Sequence, residues 1–282
     1  RCANLAIANA DLVIAIGARL DTRQTGTNLT SFVRGGSIVR LDIDETEIVN
    51  HRLEAVYGAV GDARSFIDEL ISMPWSTAYD DWILYLDGLK NQYGQNAEIL
   101  RNIENKKPYS VMDILNRHAS DDQIYCVDIG QNQMFAAQKI LIRRNQSWKT
   151  SGGLAPMGFA VPSAIGAAFA THRTRPIFAI VGDGGLHISC QSLLLLAQYE
   201  LPIKIILINN KSLGMITQFQ DLYFDSRKEG TTKDSGYLIP DFCFLAKSYG
   251  LEYFRIEDDD YEDDGKLDRI FSVKEPALIE FD

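Results

Sequence analysis

Short apolar runs rich in Ile and Val alternate with stretches of helical period from one end of the chain to the other. Runs of this length that are apolar on both faces are strands buried between helices, and their alternation with helices marks a parallel sheet. The pattern predicts two such sheets. In the first part, strands are expected at 12–17 (LVIAIG), 37–43 (SIVRLDI) and 57–61 (YGAVG), with helices at 3–10, 45–51 and 63–72. Residues 73–107 are polar, helical in places and without strand signals, and read as a connection. From Pro108 the alternation resumes, with strands at 124–130, 175–185, 203–210 and 276–282 and a helix over roughly 188–199. The expected fold is α/β, two open parallel sheets covered by helices: a Rossmann-like domain over 1–72, a linker over 73–107 and a second domain over 108–282.

Composition changes this picture little. The 282 residues are 46% apolar and 23% charged, the balance of an ordinary globular protein. A net charge of −10 speaks against nucleic acid or an anionic membrane as partner. No run approaches the ~20 apolar residues of a membrane span. The opening RCANLAIANA lacks the layout of a secretion signal, so a cytoplasmic location is expected. The four cysteines lie far apart with no Cys-x-x-Cys and read as reduced packing thiols. The acidic run 257–265 lacks the regular oxygen spacing of a metal loop and reads as a solvated turn. Because the chain opens on Arg1 inside a helical pattern, it is expected to be a piece of something longer.

The most informative stretch runs from Arg175 to Asn210. One strand ends in Gly182-Asp183-Gly184-Gly185 and the next in Asn209-Asn210, which sets a carboxylate beside a carboxamide where open parallel sheets bind ligands. The glycines let the backbone approach phosphate oxygens, and the following helix offers amides to an anion. A carboxylate, an amide oxygen and a nearby backbone carbonyl suit Mg2+. Taken alone, the same residues read equally as a turn and a cap.

The spacing adds a resemblance. Gly-Asp-Gly followed after 24 residues by Asn-Asn is similar to the signature of the thiamine-diphosphate-dependent enzymes. Gly130-Gln131-Asn132-Gln133-Met134, Ser151 through Gly158 (SGGLAPMG) and Leu213-Gly214-Met215 resemble the acetolactate synthase branch. Gly17 through Gly26 (GARLDTRQTG) and Leu41-Asp42-Ile43-Asp44 resemble that branch's central domain.

The resemblance implies a carboligase that takes pyruvate or another 2-oxo acid and passes a two-carbon unit to an acceptor carbonyl, as in branched-chain amino-acid biosynthesis. It implies a homodimer or homotetramer. Asp183, Asn210 and the Ser212 carbonyl would hold Mg2+, Gln131, Asn132, Gly184 and Gly185 would cradle the diphosphate, and Gly130 and Gly182 would also belong to the cofactor-binding set. Met157 would wedge beneath the cofactor, the Ala155 carbonyl would meet its amino group, Leu213 and Gly214 would join the cofactor-binding residues, and Met215 would line the substrate side. Without the family, Met157 reads as a core filler.

This chain departs from the family pattern in places. Asn132 stands where the branch has His, and Phe219 where it has Trp, a position linked to acceptor choice. A related enzyme with an aldehyde or keto-sugar acceptor, or a simple 2-oxo acid decarboxylase, is the alternative. The family's ring-activating glutamate comes from an N-terminal domain not in these residues, so the 282 residues by themselves are expected to be inert. FAD is implied in the first domain by Arg19, Arg23, Asp42, Ile43 and Asp62, although Thr22 replaces the usual second Asp.

Other readings have less behind them. Gly17-Ala18-Arg19 lacks the dinucleotide fingerprint of a nicotinamide-dependent oxidoreductase. A non-catalytic module need not keep both Asp183 and Asn210. His187 reads as a surface or packing residue, and His51, His118 and His172 show no partner spacing.

Overall fold

The computed structural model describes residues 2–49, 52–53, 56–75, 79–94 and 107–282, and the chain divides into two compact units, Arg1–Asn102 and Ile103–Asp282. In the first, α1 (Cys2–Ala8), β1 (Leu12–Ile16), α2 (Thr22–Thr25), β2 (Ser37–Asp42), α3 (Glu45–Val49), β3 (Val56–Val60), α4 (Ala63–Ser72) and α5 (Asp80–Tyr93) follow in order. The strands form a three-stranded parallel sheet, β1-β2-β3, over a small core of Val33, Ile38 and Leu53. The helix expected at 45–51 is seen over Glu45–Val49, and its last residues, with His51, lie outside the described ones. The stretch read as a connection contains α5, which is tied to the end of α1 by Asn9 Nδ2 donating to Tyr85 Oη at 2.8 Å.

The second unit runs α6 (Lys107–His118), β4 (Ile124–Val127), α7 (Gln131–Lys139), β5 (Ser147–Thr150), α8 (Ala160–Ala170), β6 (Ile177–Gly182), α9 (Asp183–Ser189), α10 (Leu193–Gln198), β7 (Ile203–Ile208), α11 (Gly214–Tyr223), α12 (Phe242–Ser248), β8 (Glu252–Ile256), α13 (Asp264–Ser272) and β9 (Ala277–Phe281). Its six strands pair in the order β5-β4-β6-β7-β9-β8, all parallel.

Alternate strand residues feed two cores, one on each face of this sheet. Ile177, Ala179 and Val181 pack with Ala160, Ala164 and Leu193, while Phe178 and Ile180 pack with Met112, Leu115 and Leu267. Both faces are therefore covered, which is why the strands are apolar throughout.

Two strands carry no clear sequence signal. β5 and β8 are the edge strands, half-exposed, and their polar residues (SWKT and EYFRI) hide the strand period. The helix expected at 188–199 starts earlier, at Asp183, and is broken into α9 and α10 by a 3-10 turn at Cys190–Ser192. Among the described residues no helix is long and apolar enough to cross a membrane.

Candidate functional site

The chain leaves β4 toward β5 on one side and returns to β6 on the other, so the strand order switches direction between β4 and β6. Loops diverge at such a point and leave a crevice at the carboxyl ends of the strands. A cavity of about 370 Å3 opens there. Every residue singled out in the sequence for the cofactor lines it, from Gly130 and Ala155 to Asp183 and Met215. Phe219 does not: it lies farther along α11, 53% exposed and in a tilted ring contact with Tyr223.

Asp183 is 2% exposed at the start of α9. Its Oδ1 accepts the Gly184 amide at 2.9 Å and its Oδ2 the Ser212 amide at 3.1 Å. The Ser212 amide is also 3.3 Å from Asn210 Oδ1, so two hard oxygens converge on one N–H donor. Burial pushes the Asp183 carboxyl up to about 6 despite these amides. Beside it the Tyr237 hydroxyl is buried without a hydrogen bond of normal geometry, and burial, then the Asp183 charge, raise that phenol. The site is thus rich in oxygen and short of positive charge, an electrostatic setting that suits a hard cation. Among the described residues no three His, Cys, Asp or Glu side chains gather in a metal-sized group, so a cation here would need oxygens from its ligand as well.

The glycines keep the walls thin. A Cβ on Gly184 would lie 2.6 Å from Leu213 Cδ2 and 2.8 Å from Met157 Cε, and one on Gly214 would lie 2.3 Å from Gln131 Oε1. The first turns of α7, α9 and α11 all reach the cavity, each presenting main-chain amides without intrahelical partners. Ala155 holds φ +54°, a strained value for a residue with a Cβ.

Asn132 differs from expectation. Its Nδ2 donates to the carbonyls of Asp128 at 2.9 Å and Ile180 at 3.4 Å, so the side-chain amide braces the protein while the residue lines the cavity. Sequence reasoning missed Asp128, which is fully buried and accepts the amides of Ile129, Gly158 and Ala160 at 2.8 to 2.9 Å. A carboxylate at the carboxyl end of a strand, just ahead of Gly130, was the available signal. Also missed were Pro108, Ile129, Phe135, Ile208 and Ile216, which make much of the cavity apolar.

The described histidines, His118, His172 and His187, are not among the residues lining this cavity. His187 is exposed, and His118 sits against Asp268 at 3.5 Å and stacks on Phe271. In the first unit, of the residues singled out for FAD, Arg19 and Arg23 follow β1, Asp42 and Ile43 lie at the end of β2, and Asp62 follows β3, with several engaged locally. Arg19 pairs with Glu47 at 3.1 Å, Asp42 accepts the Asp44 amide at 3.0 Å, and Asp62 caps α4.

Two family models match the chain. Residues 128–281 match the thiamine pyrophosphate enzyme C-terminal TPP binding domain, and residues 1–70 the thiamine pyrophosphate enzyme central domain. Relatives named acetolactate synthase, from Mycobacterium bovis, and acetolactate synthase large subunit, from Corynebacterium glutamicum, are 37% and 36% identical over 89% of this chain. One from Cyanidium caldarium, an acetolactate synthase large subunit, is 34% identical over 99% of it. The chain spans 41%, 40% and 47% of the lengths of these relatives, respectively. The family match coincides with the unit that holds the cavity, and the chain belongs to the thiamine pyrophosphate enzymes, of which it carries the central domain and the C-terminal TPP-binding domain.

Proposed function

We propose that the protein is a decarboxylating carboligase of the acetolactate synthase type, acting on pyruvate or another 2-oxo acid and a second carbonyl compound. The observation that carries this reading is the convergence of Asp183, Asn210 and Ser212 beside the Gly184-Gly185 backbone in one cavity.

Asp183 and Asn210 would give Mg2+ their side-chain oxygens and Ser212 its carbonyl, all hard donors. The amides of Gln131, Asn132, Gly184 and Gly185 would face the diphosphate. Bound thiamine diphosphate supplies the electron sink for carbon–carbon cleavage next to a carbonyl. The protein's part is to anchor, orient and exclude water: Met157 and Leu213 would form an apolar wall, the Ala155 carbonyl would face the ring side, and Met215 with Ile216 would border the space left for substrate. The same reading gives a cytoplasmic homodimer or homotetramer, with FAD bound near the carboxyl ends of β1 to β3. Flavin fluorescence quenched on adding the whole protein would support that last element, and unquenched fluorescence would remove it.

The test is turnover of labelled pyruvate by the whole protein with Mg2+ and thiamine diphosphate. Acetolactate-type products are expected, and a protein that neither releases carbon dioxide nor joins carbons contradicts the reading. Phe219 favours a second reading, in which the acceptor is an aldehyde or keto-sugar, because it replaces the family's Trp and stands off the cavity lining. Product analysis with mixed acceptors separates the two.

A further inference from the structure

The turn that carries Asn210 and Ser212 is held from behind by a buried polar network. Glu280, on β9, is 5% exposed. Its Oε1 accepts from Asn209 Nδ2 and its Oε2 from Tyr253 Oη, each at 2.6 Å. Burial, then the bond to Glu280, raise the Tyr253 phenol, which keeps it a donor.

Asn209 is 6% exposed. Its main-chain amide donates to the Phe281 carbonyl at 2.9 Å, and its Oδ1 accepts the Lys211 amide at 3.2 Å. Lys211 has φ +56°, a left-handed conformation that a residue with a Cβ keeps only when its surroundings impose it. The Lys211 ammonium adds a second tie, to Asp282 Oδ1 at 2.6 Å. One residue beyond this left-handed position, the Ser212 amide reaches Asp183.

The Glu280 carboxylate is buried on two neutral hydrogen-bond donors with the Arg255 guanidinium of β8 as its charged neighbour, and an apolar side chain would fill such a site in a sheet at lower cost. Leu278, its neighbour on the same face of β9, is apolar and fully buried, so packing alone does not account for the charge beside it. We infer that Glu280 is a positioning residue of the cation site: through Asn209 it fixes the 209–212 turn so that Asn210 and Ser212 meet Asp183, with Tyr253 holding the Glu280 carboxylate in place. The inference rests on the proposed assignment of Asp183, Asn210 and Ser212 to a cation.

The experiment is a calorimetric titration of the whole protein with thiamine diphosphate at fixed Mg2+, paired with Mn2+ binding read by electron paramagnetic resonance and with the melting temperature in chelator. Glu280→Ala should weaken both binding measures by on the order of 10- to 100-fold, as loss of a residue that orients metal ligands does. Glu280→Gln keeps an acceptor for Asn209 and turns its amide toward Tyr253 Oη, so it should stay within roughly threefold of the parent. Ile279→Ala, on the opposite face of the same strand, should lower the melting temperature and leave binding unchanged.

Parent-like binding by Glu280→Ala, equal loss of binding in Ile279→Ala, or failure of Gln to rescue would each overturn the inference. Should Glu280→Ala not fold, Tyr253→Phe carries the test, with a loss of roughly 3- to 10-fold expected and parent-like binding overturning it. If the parent itself shows no Mg2+-dependent binding, the functional reading falls and this inference with it. A parent that binds beside an unaffected Glu280→Ala sinks only the inference.

Discussion

Asp128 and Gly158, thirty positions apart, are joined by a hydrogen bond of 2.9 Å from the Gly158 amide to Asp128 Oδ1. The second oxygen accepts the Ala160 amide at 2.9 Å, so one buried side chain caps α8 and fastens the loop carrying Met157 to the end of β4. The apolar wall of the cofactor cavity is therefore hung from the same strand end that starts the Gly130 loop.

Removing that fastening should cost stability as well as binding. Asp128→Ala leaves the Ile129, Gly158 and Ala160 amides without their acceptor. At about 1 to 3 kcal/mol for each buried donor left unpaired, a loss on the order of 3 kcal/mol or more is expected in urea unfolding. A loss below about 1 kcal/mol would show that the loop is held by other contacts.

Met157 is expected to matter for the ring and not for the phosphates. Met157→Ala should leave Mg2+-dependent binding of inorganic diphosphate within about twofold while weakening thiamine diphosphate on the order of 10-fold, the scale of losing one buried apolar contact. Equal losses for both ligands in calorimetry would place Met157 outside the ring contact.

Gly214 tests the crowding around Asn210. A Cβ there would lie 2.3 Å from Gln131 Oε1 and 2.7 Å from Asn210 Nδ2, both at the ends of flexible side chains. Since Ala also favours a helix start over Gly, Gly214→Ala should change stability by less than about 1 kcal/mol. Displacing Asn210 should nevertheless weaken Mg2+-dependent thiamine diphosphate binding by on the order of 10-fold. Unchanged binding would mean that Asn210 tolerates the move.

Lys204 gives the fold a defined pH response. It is 8% exposed, and its ammonium donates to the carbonyls of Val273 and Glu275. Burial lowers it to about 8 from 10.5, against the pull of Glu275. Below about pH 8 folded and unfolded chains both carry the charge, and the full cost of burying it stands. Between about 8 and 10.5 the folded chain releases its proton first, the unfolded chain binds more protons, and stability rises with pH. The gain over that window is on the order of 3 kcal/mol and should be missing from Lys204→Met, so the difference in unfolding free energy between parent and variant shifts by that amount. A difference independent of pH would contradict the lowered value.

Much of this was legible in the sequence for physical reasons. Central strands buried on both faces read as apolar runs, and the Gly182–Gly185 and Asn209-Asn210 ends fall where a parallel sheet exposes its ligand edge. The edge strands β5 and β8 were not legible, because half-exposed strands mix Lys, Arg and Glu into the period. The roles of Asp128 and Glu280 were not legible. Their partners, Gly158, Ala160, Asn209 and Tyr253, are distant in sequence, and only the fold brings them within hydrogen-bond reach. Nor was the bracing role of the Asn132 side chain legible, since its amide donates to Asp128 and Ile180 carbonyls that only the β4–β6 pairing sets side by side.

The most direct test of the account is the affinity of the whole protein for thiamine diphosphate, titrated calorimetrically with and without Mg2+, for the parent and for Asp183→Asn. That substitution keeps the shape beside Gly184 and Ser212 and removes the charge. Binding that requires Mg2+ in the parent and is weakened by on the order of 10- to 100-fold or more in the variant is the expected result. Equal affinity in both proteins, or binding indifferent to Mg2+, would contradict the assignment of Asp183 to the cation and with it the functional reading of the cavity.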